Sequence, residues 1–110
     1  LTRAGGASFL CVIKDCGPES PAFLSFPRPG ISVALDIAIR NDTQALVDEL
    51  NEHVLKEGGR IYLAKDTFTR PEHFRAMEQR LPKFLSVREK WDPERKFKSA
   101  QSVRLFGDPS

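Results

Sequence analysis

Ile31-Ser32-Val33-Ala34-Leu35-Asp36-Ile37-Ala38-Ile39 alternates without a break. Successive side chains of a strand point to opposite faces, so Ile31, Val33, Leu35, Ile37 and Ile39 share one face and Ser32, Ala34, Asp36 and Ala38 the other. The first face predicts a core. The second is small and polar with one carboxylate, as a pocket wall or a wet sheet face requires. Upstream, Ser8 to Cys16 reads as another strand, with Ser8, Leu10, Val12 and Lys14 on one side and Phe9, Cys11, Ile13 and Asp15 on the other. Gly17-Pro18 breaks it. The segment up to Gly30 is rich in proline and carries Phe23, Leu24 and Phe26, aromatic and apolar groups that either pack on the sheet or form the lip of a cleft or docking surface.

Downstream, Asn41 or Asp42 can cap a helix whose buried stripe is Leu46, Leu50 and Val54, and Gly58-Gly59 ends it. Arg60 to Ala64 predicts a short strand with Tyr62 as its polar aromatic. A helix between strands leaves a parallel crossover open for the last two, while the first two strands can pair antiparallel. Past Lys65 the pattern turns helical. Thr69-Arg70-Pro71-Glu72 has the form of a capping box with Pro in the first turn, for a helix that stops near Leu81-Pro82. A second helix runs from Lys83 to Trp91 with Phe84, Val87 and Trp91 on one side, and a last one from Ser99 to Leu105. Three short helices with a narrow apolar side predict elements that wrap around something else.

The 110 residues suit one small domain, and 40% hydrophobic with 29% charged residues is a globular composition. The net charge of +2 conceals a balance of −2 over residues 1–69 and +5 over residues 70–104. A basic tail can meet nucleic acid, an acidic cofactor or the rest of a parent protein, and a solvated helical face is the plainer reading. No apolar run approaches the roughly 20 residues that span a bilayer. The start, Leu1 to Gly6, lacks an initiator Met and a basic-then-apolar leader, which predicts a fragment. Cys11 and Cys16 are five residues apart on one strand, roughly 16 Å and on opposite faces, so both are expected as reduced thiols, in keeping with a cytoplasmic protein.

Glycine-rich phosphate loops, HExxH and paired zinc cysteines are missing from the sequence. His53 and Glu57, four apart on a helix, are two ligands without a visible third, so no metal is expected. Val12 and Lys14 on one strand and Ser32, Ala34 and Asp36 on the other form one polar wall if the strands are neighbours. Lys14 and Asp36 then either pair with each other or hold a polyhydroxylated ligand between them; an ordinary exposed sheet face is the competing reading. Lys65, just past Tyr62, either aims a fixed positive charge into a cleft or pairs with Asp66.

Several stretches together carry a family resemblance. Ala7-Ser8-Phe9-Leu10-Cys11-Val12-Ile13-Lys14, Leu24-Ser25-Phe26-Pro27-Arg28-Pro29-Gly30, Ala34-Leu35-Asp36, Gly58-Gly59-Arg60-Ile61-Tyr62-Leu63-Ala64-Lys65-Asp66, and Asp92-Pro93 with Phe97, Ser99, Arg104 and Leu105 resemble, in order, motifs of FAD-linked sugar oxidases of the vanillyl-alcohol-oxidase type, with aldonolactone oxidases as more distant relatives. The resemblance implies an α+β chain. Residues 1–63 would end a substrate or cap domain with a mainly antiparallel sheet and one packed helix. Residues 64–110 would be a C-terminal helical segment packing on the N-terminal FAD-binding domain of the same polypeptide. It assigns Val12, Lys14, Ser32, Ala34 and Asp36 to a sugar-type substrate, Tyr62 and Lys65 to the cofactor FAD, and a catalytic polar contact to Lys65. Where the branch of the family that it most resembles has Trp-Asn-Ile-Cys this chain has Ile31-Ser32-Val33-Ala34, and Ile37-Ala38 replaces the usual Phe-Pro after the aspartate, which predicts a smaller-walled pocket. The expected activity is oxidation of a sugar hydroxyl or lactone by hydride transfer to flavin, with the isolated chain inactive and no nucleic-acid partner. The alternative is a non-catalytic α/β module whose basic tail meets RNA or a protein.

Overall fold

The computed structural model describes residue 3 and residues 10–110, which form an α+β chain of two strands followed by four helices. Strand β1 (Cys11–Cys16) pairs antiparallel with β2 (Gly30–Leu35) in the register Cys11 to Leu35, Val12 to Ala34, Ile13 to Val33 and Lys14 to Ser32. The Asp36 N–H still donates to the Leu10 carbonyl at 3.2 Å, and the ladder ends there. In this register Ile37 and Ala38 would face Phe9 and Ser8, which lie outside the described residues, so the longer strands expected from the alternation are seen only in part.

The face expected to be a core is open. Ile13, Ile31 and Val33 are 68%, 74% and 57% exposed. A two-stranded hairpin has too little surface to bury its own apolar side and needs a further strand or a helix across it. The helices of this chain pack on one another instead, α1 (Thr43–Lys56) on α2 (Pro71–Met77) and α2 on α4 (Ala100–Phe106).

Helix α1 also turns an unexpected side inward. Gln44, Asp48 and Asn51, spaced i, i+4, i+7, form a polar stripe against residues 68–70. Gln44 Nε2 donates to the Phe68 carbonyl at 2.9 Å, Arg70 Nε to Asp48 at 2.8 Å, and buried Asn51 to Thr69 Oγ1 at 3.4 Å. Leu46, Leu50 and Val54 are only half-buried, and Leu46 and Leu50 line a groove of about 420 Å³ with His53 and Glu49. Asp42 occupies the N-cap position without a capping bond. Thr43 Oγ1 does the local work, accepting from the Arg40 N–H at 2.7 Å and donating to the Ala38 carbonyl at 3.2 Å. At the other end, the Gly58 and Gly59 N–H groups close back on Leu55 and Val54, and Gly58 has φ +70°, the left-handed conformation that favours glycine.

Residues 60–64, expected as a strand, form none: 60–62 are irregular and a turn begins at 63, with the Lys65 N–H on the Tyr62 carbonyl at 2.9 Å and the Thr69 N–H on the Asp66 carbonyl at 2.8 Å. A strand exists only where a ladder partner does, and the described sheet has two strands. The Thr69 capping box is likewise unformed, because the Thr69 side chain is buried against Asn51. Pro71 does open α2. That helix ends at Met77, and Leu81-Pro82, expected as a stop, begins α3 (Leu81–Trp91). A proline fits the first turn of a helix as well as the space after one.

The C-terminal helices make a small core of their own. Phe74, Leu81 and Leu105 are buried, with Leu24, Leu63, Phe84, Leu85 and Phe106 packed around them. Leu105 is 0% exposed, a contribution of about 2 kcal/mol from area alone. The Phe106 ring lies 5.9 Å from Phe74 and 5.3 Å from Phe84. Helix α3 therefore buries Leu81, Phe84 and Leu85, rotated from the expected Phe84–Val87–Trp91 side, and Trp91 is 77% exposed. Ser99 and Ser102 cap α4 reciprocally, and Gly107 at φ +77° ends it. Arg88 then grips buried Asp108 through both guanidinium nitrogens, the Nη1 contact being 2.7 Å. No helix among the described residues is long and apolar enough to cross a membrane.

Candidate functional site

The register brings the hairpin residues of the predicted wall onto one sheet face. Val12 stands opposite Ala34 and Lys14 opposite Ser32, while Asp36 continues the same side of β2 by alternation. Val12, Ser32, Ala34 and Asp36 are half-buried and Lys14 is exposed. Of the two alternatives for Lys14 and Asp36, the direct ion pair is not what this register builds. Asp36 lies four residues beyond the position facing Lys14, roughly 13 Å along the strand. The wall thus carries a cation at one end and a carboxylate at the other, with small side chains between.

Tyr62 and Lys65 belong to a separate element, the turns that follow α1. The Tyr62 ring is 51% exposed and rests on Phe26 with centroids 5.2 Å apart, which ties the proline-rich loop to these turns. Lys65 is exposed, and among the described residues no carboxylate forms an ion pair with it. The alternative pairing with Asp66 is not formed. Asp66 is buried and turned the other way, its Oδ1 accepting from Gln101 Nε2 at 3.0 Å and its Oδ2 from Arg104 Nη2 at 3.0 Å. Adjacent residues of opposite charge are thereby split, the carboxylate inward and the ammonium outward.

Two arginines hold the loop. Arg60 Nη1 reaches Glu19 at 2.6 Å and the Ser25 carbonyl at 3.2 Å. Arg80 donates to the carbonyls of Ala22 at 3.1 Å and Ser25 at 2.6 Å, and to Glu78. The hydrogen bond from Arg60 is the main cause that holds the Glu19 carboxyl below its usual range, and the bond to Glu78 raises Arg80. Neither arginine was singled out from the sequence, since the loop carbonyls and the Glu19 that they hold lie 35 to 61 residues away and leave no local mark. Leu24, at φ +60°, is the residue this loop drives into the core.

Cys11 and Cys16 are free thiols. His53 and Glu57 are both exposed, and no three metal-ligating side chains come together among the described residues.

With this geometry established, comparison with known proteins adds a relationship. No protein-family model matches the chain. The decaprenylphosphoryl-beta-D-ribose oxidase of Mycolicibacterium smegmatis is 42% identical over 105 residues, 96% of this chain and 23% of that protein. Almost the whole of this chain is thus similar to one segment of that oxidase. An uncharacterized protein from the mprA 5′ region of Streptomyces coelicolor is 40% identical over 95 residues, 86% of this chain and 26% of that protein. The chain spans about a quarter of the length of these relatives.

Proposed function

We propose that this chain is the substrate-facing segment of an FAD-dependent oxidoreductase that oxidises a sugar hydroxyl. The observation that supports it is the divided Lys65-Asp66 pair: an unquenched ammonium on an exposed turn beside Tyr62, in a chain related along almost its whole length to an oxidase of a ribose derivative. A planar cofactor with an anionic edge fits such a cation and an aromatic neighbour. Flavin, when bound, accepts the hydride and gains negative charge at N1/C2=O. Lys65 holds a fixed positive charge for that anion, and Tyr62 supplies a polar aromatic edge. On the hairpin face, Lys14 donates and Asp36 accepts, which suits the hydroxyls of a sugar, while Val12, Ser32 and Ala34 leave room for the ring. The other wall and most FAD contacts come from an N-terminal domain of the same polypeptide, on which residues 64–110 pack. An RNA-binding module would need stacking aromatics on the sheet face, where Val12, Lys14, Ser32, Ala34 and Asp36 stand.

Anaerobic mixing of the full-length protein with decaprenylphosphoryl-β-D-ribose, and with simpler ribosides, tests this. Bleaching of the flavin absorbance by at least one of these sugars is expected. A flavin that none of them reduces, in a protein still reduced by dithionite, would overturn the substrate class.

A further inference from the structure

Four hydrogen bonds from α4 grip the turns that carry Lys65. Gln101 Nε2 donates to the Leu63 carbonyl at 2.5 Å and to Asp66 Oδ1 at 3.0 Å; Arg104 donates to the Thr69 carbonyl at 2.5 Å and to Asp66 Oδ2 at 3.0 Å. Gln101 and Arg104 lie three apart, so one face of the helix clasps the segment on both sides of Lys65. Asp66 is only 7% exposed, and a buried carboxylate must be paired. Without Arg104, one of its two oxygens loses its bond. The nearest cation by sequence to which Asp66 could then turn is Lys65 itself. Arg104 is not the sole anchor of α4: Leu105 is fully buried, the helix carries its own Ser99–Ser102 cap, and the arginine is partly exposed.

We propose that Arg104, assisted by Gln101, is a positioning residue for Lys65: by keeping the Asp66 carboxylate turned inward it leaves the lysine ammonium unquenched on the open side of the turn. This rests on the assignment of Lys65 to the flavin. The role is electrostatic, so its signature is rescue by removing the competing charge.

In the full-length flavoprotein, Arg104→Met should slow flavin reduction about tenfold, against roughly a hundredfold for Lys65→Met, the range found when a charge-stabilising donor is removed. Adding Asp66→Asn to Arg104→Met should restore most of the rate, because no carboxylate is left to reach Lys65. Arg104→Lys, which keeps a charge beside Asp66, should retain most of it, and serves if the Met variant does not fold. In the Lys65→Met background, Arg104→Met or Arg104→Lys should cost nothing further. An additive loss there, no rescue by Asp66→Asn, or a Lys variant in the wild-type background as slow as Lys65→Met would overturn the positioning role while leaving Lys65 assigned. An unaffected Lys65→Met would overturn both.

Discussion

Replacing Lys65 by Met in the full-length protein is expected to slow flavin reduction about a hundredfold, with the flavin still bound and the fold unchanged. The reasoning is local. Lys65 is exposed, has no carboxylate partner among the described residues, and contributes only a backbone bond to its turn. Its side chain therefore adds little to stability, and surface substitutions of that kind usually change it by less than about 0.5 kcal/mol. A stabiliser of developing negative charge loses its effect when the charge goes, even though methionine keeps the length of the stem. Stopped-flow reduction and urea unfolding, measured on the same variant, separate the two consequences. A wild-type reduction rate would remove Lys65 from the site. A large loss of stability would give it a structural role instead.

The largest expected effect on stability is at the other end of α4. Asp108 is buried and paired with Arg88, which also bonds the Phe97 carbonyl. Removing one partner leaves Asp108 with only the longer Arg95 contact at 3.6 Å as an ion pair, or Arg88 with the Phe97 carbonyl, so Arg88→Met or Asp108→Asn should cost about 3 kcal/mol at neutral pH, the scale for breaking a buried pair. The pair also sets a pH dependence. The hydrogen bond from Arg88, opposed by burial, holds the Asp108 carboxyl below its usual value, and Ser102 and Arg95 add to the lowering. Because the folded value is lowered, this stabilisation is complete above the ordinary carboxylate range and disappears as pH falls through the folded value. The gap between wild type and Asp108→Asn should therefore narrow in acid. A gap that stays constant from neutral pH down to about pH 2 would show that Asp108 contributes through packing and not through its charge.

The strands were the most legible part of the fold. Unbroken alternation over 31–36 announced β2 and its two faces, and the pairing with β1 placed Val12 and Lys14 on the same side as Ser32 and Ala34. What alternation does not encode is the cover. It told that Ile31 and Val33 belong on one face, but a face is a core only if something lies on it, and here nothing in the described chain does. Residues 60–64 failed as a strand for the same reason, since propensity without a ladder partner makes no strand. Leu81-Pro82 was ambiguous in principle: the same dipeptide can end one helix or open the next, and the burial of Leu81 in the Phe74–Leu105 core decided for opening. The splitting of Lys65 from Asp66 could not be read locally either, because the arginine and glutamine responsible lie 35 to 38 residues away in sequence.

The central claim is that this polypeptide forms one side of a cavity and that FAD is held mainly by sequence lying outside it. Purifying the 110-residue chain and the full-length protein side by side, and recording the absorbance near 450 nm, tests it most directly. The expected outcome is bound flavin in the longer protein alone. A folded 110-residue chain that carries flavin after gel filtration would contradict the account.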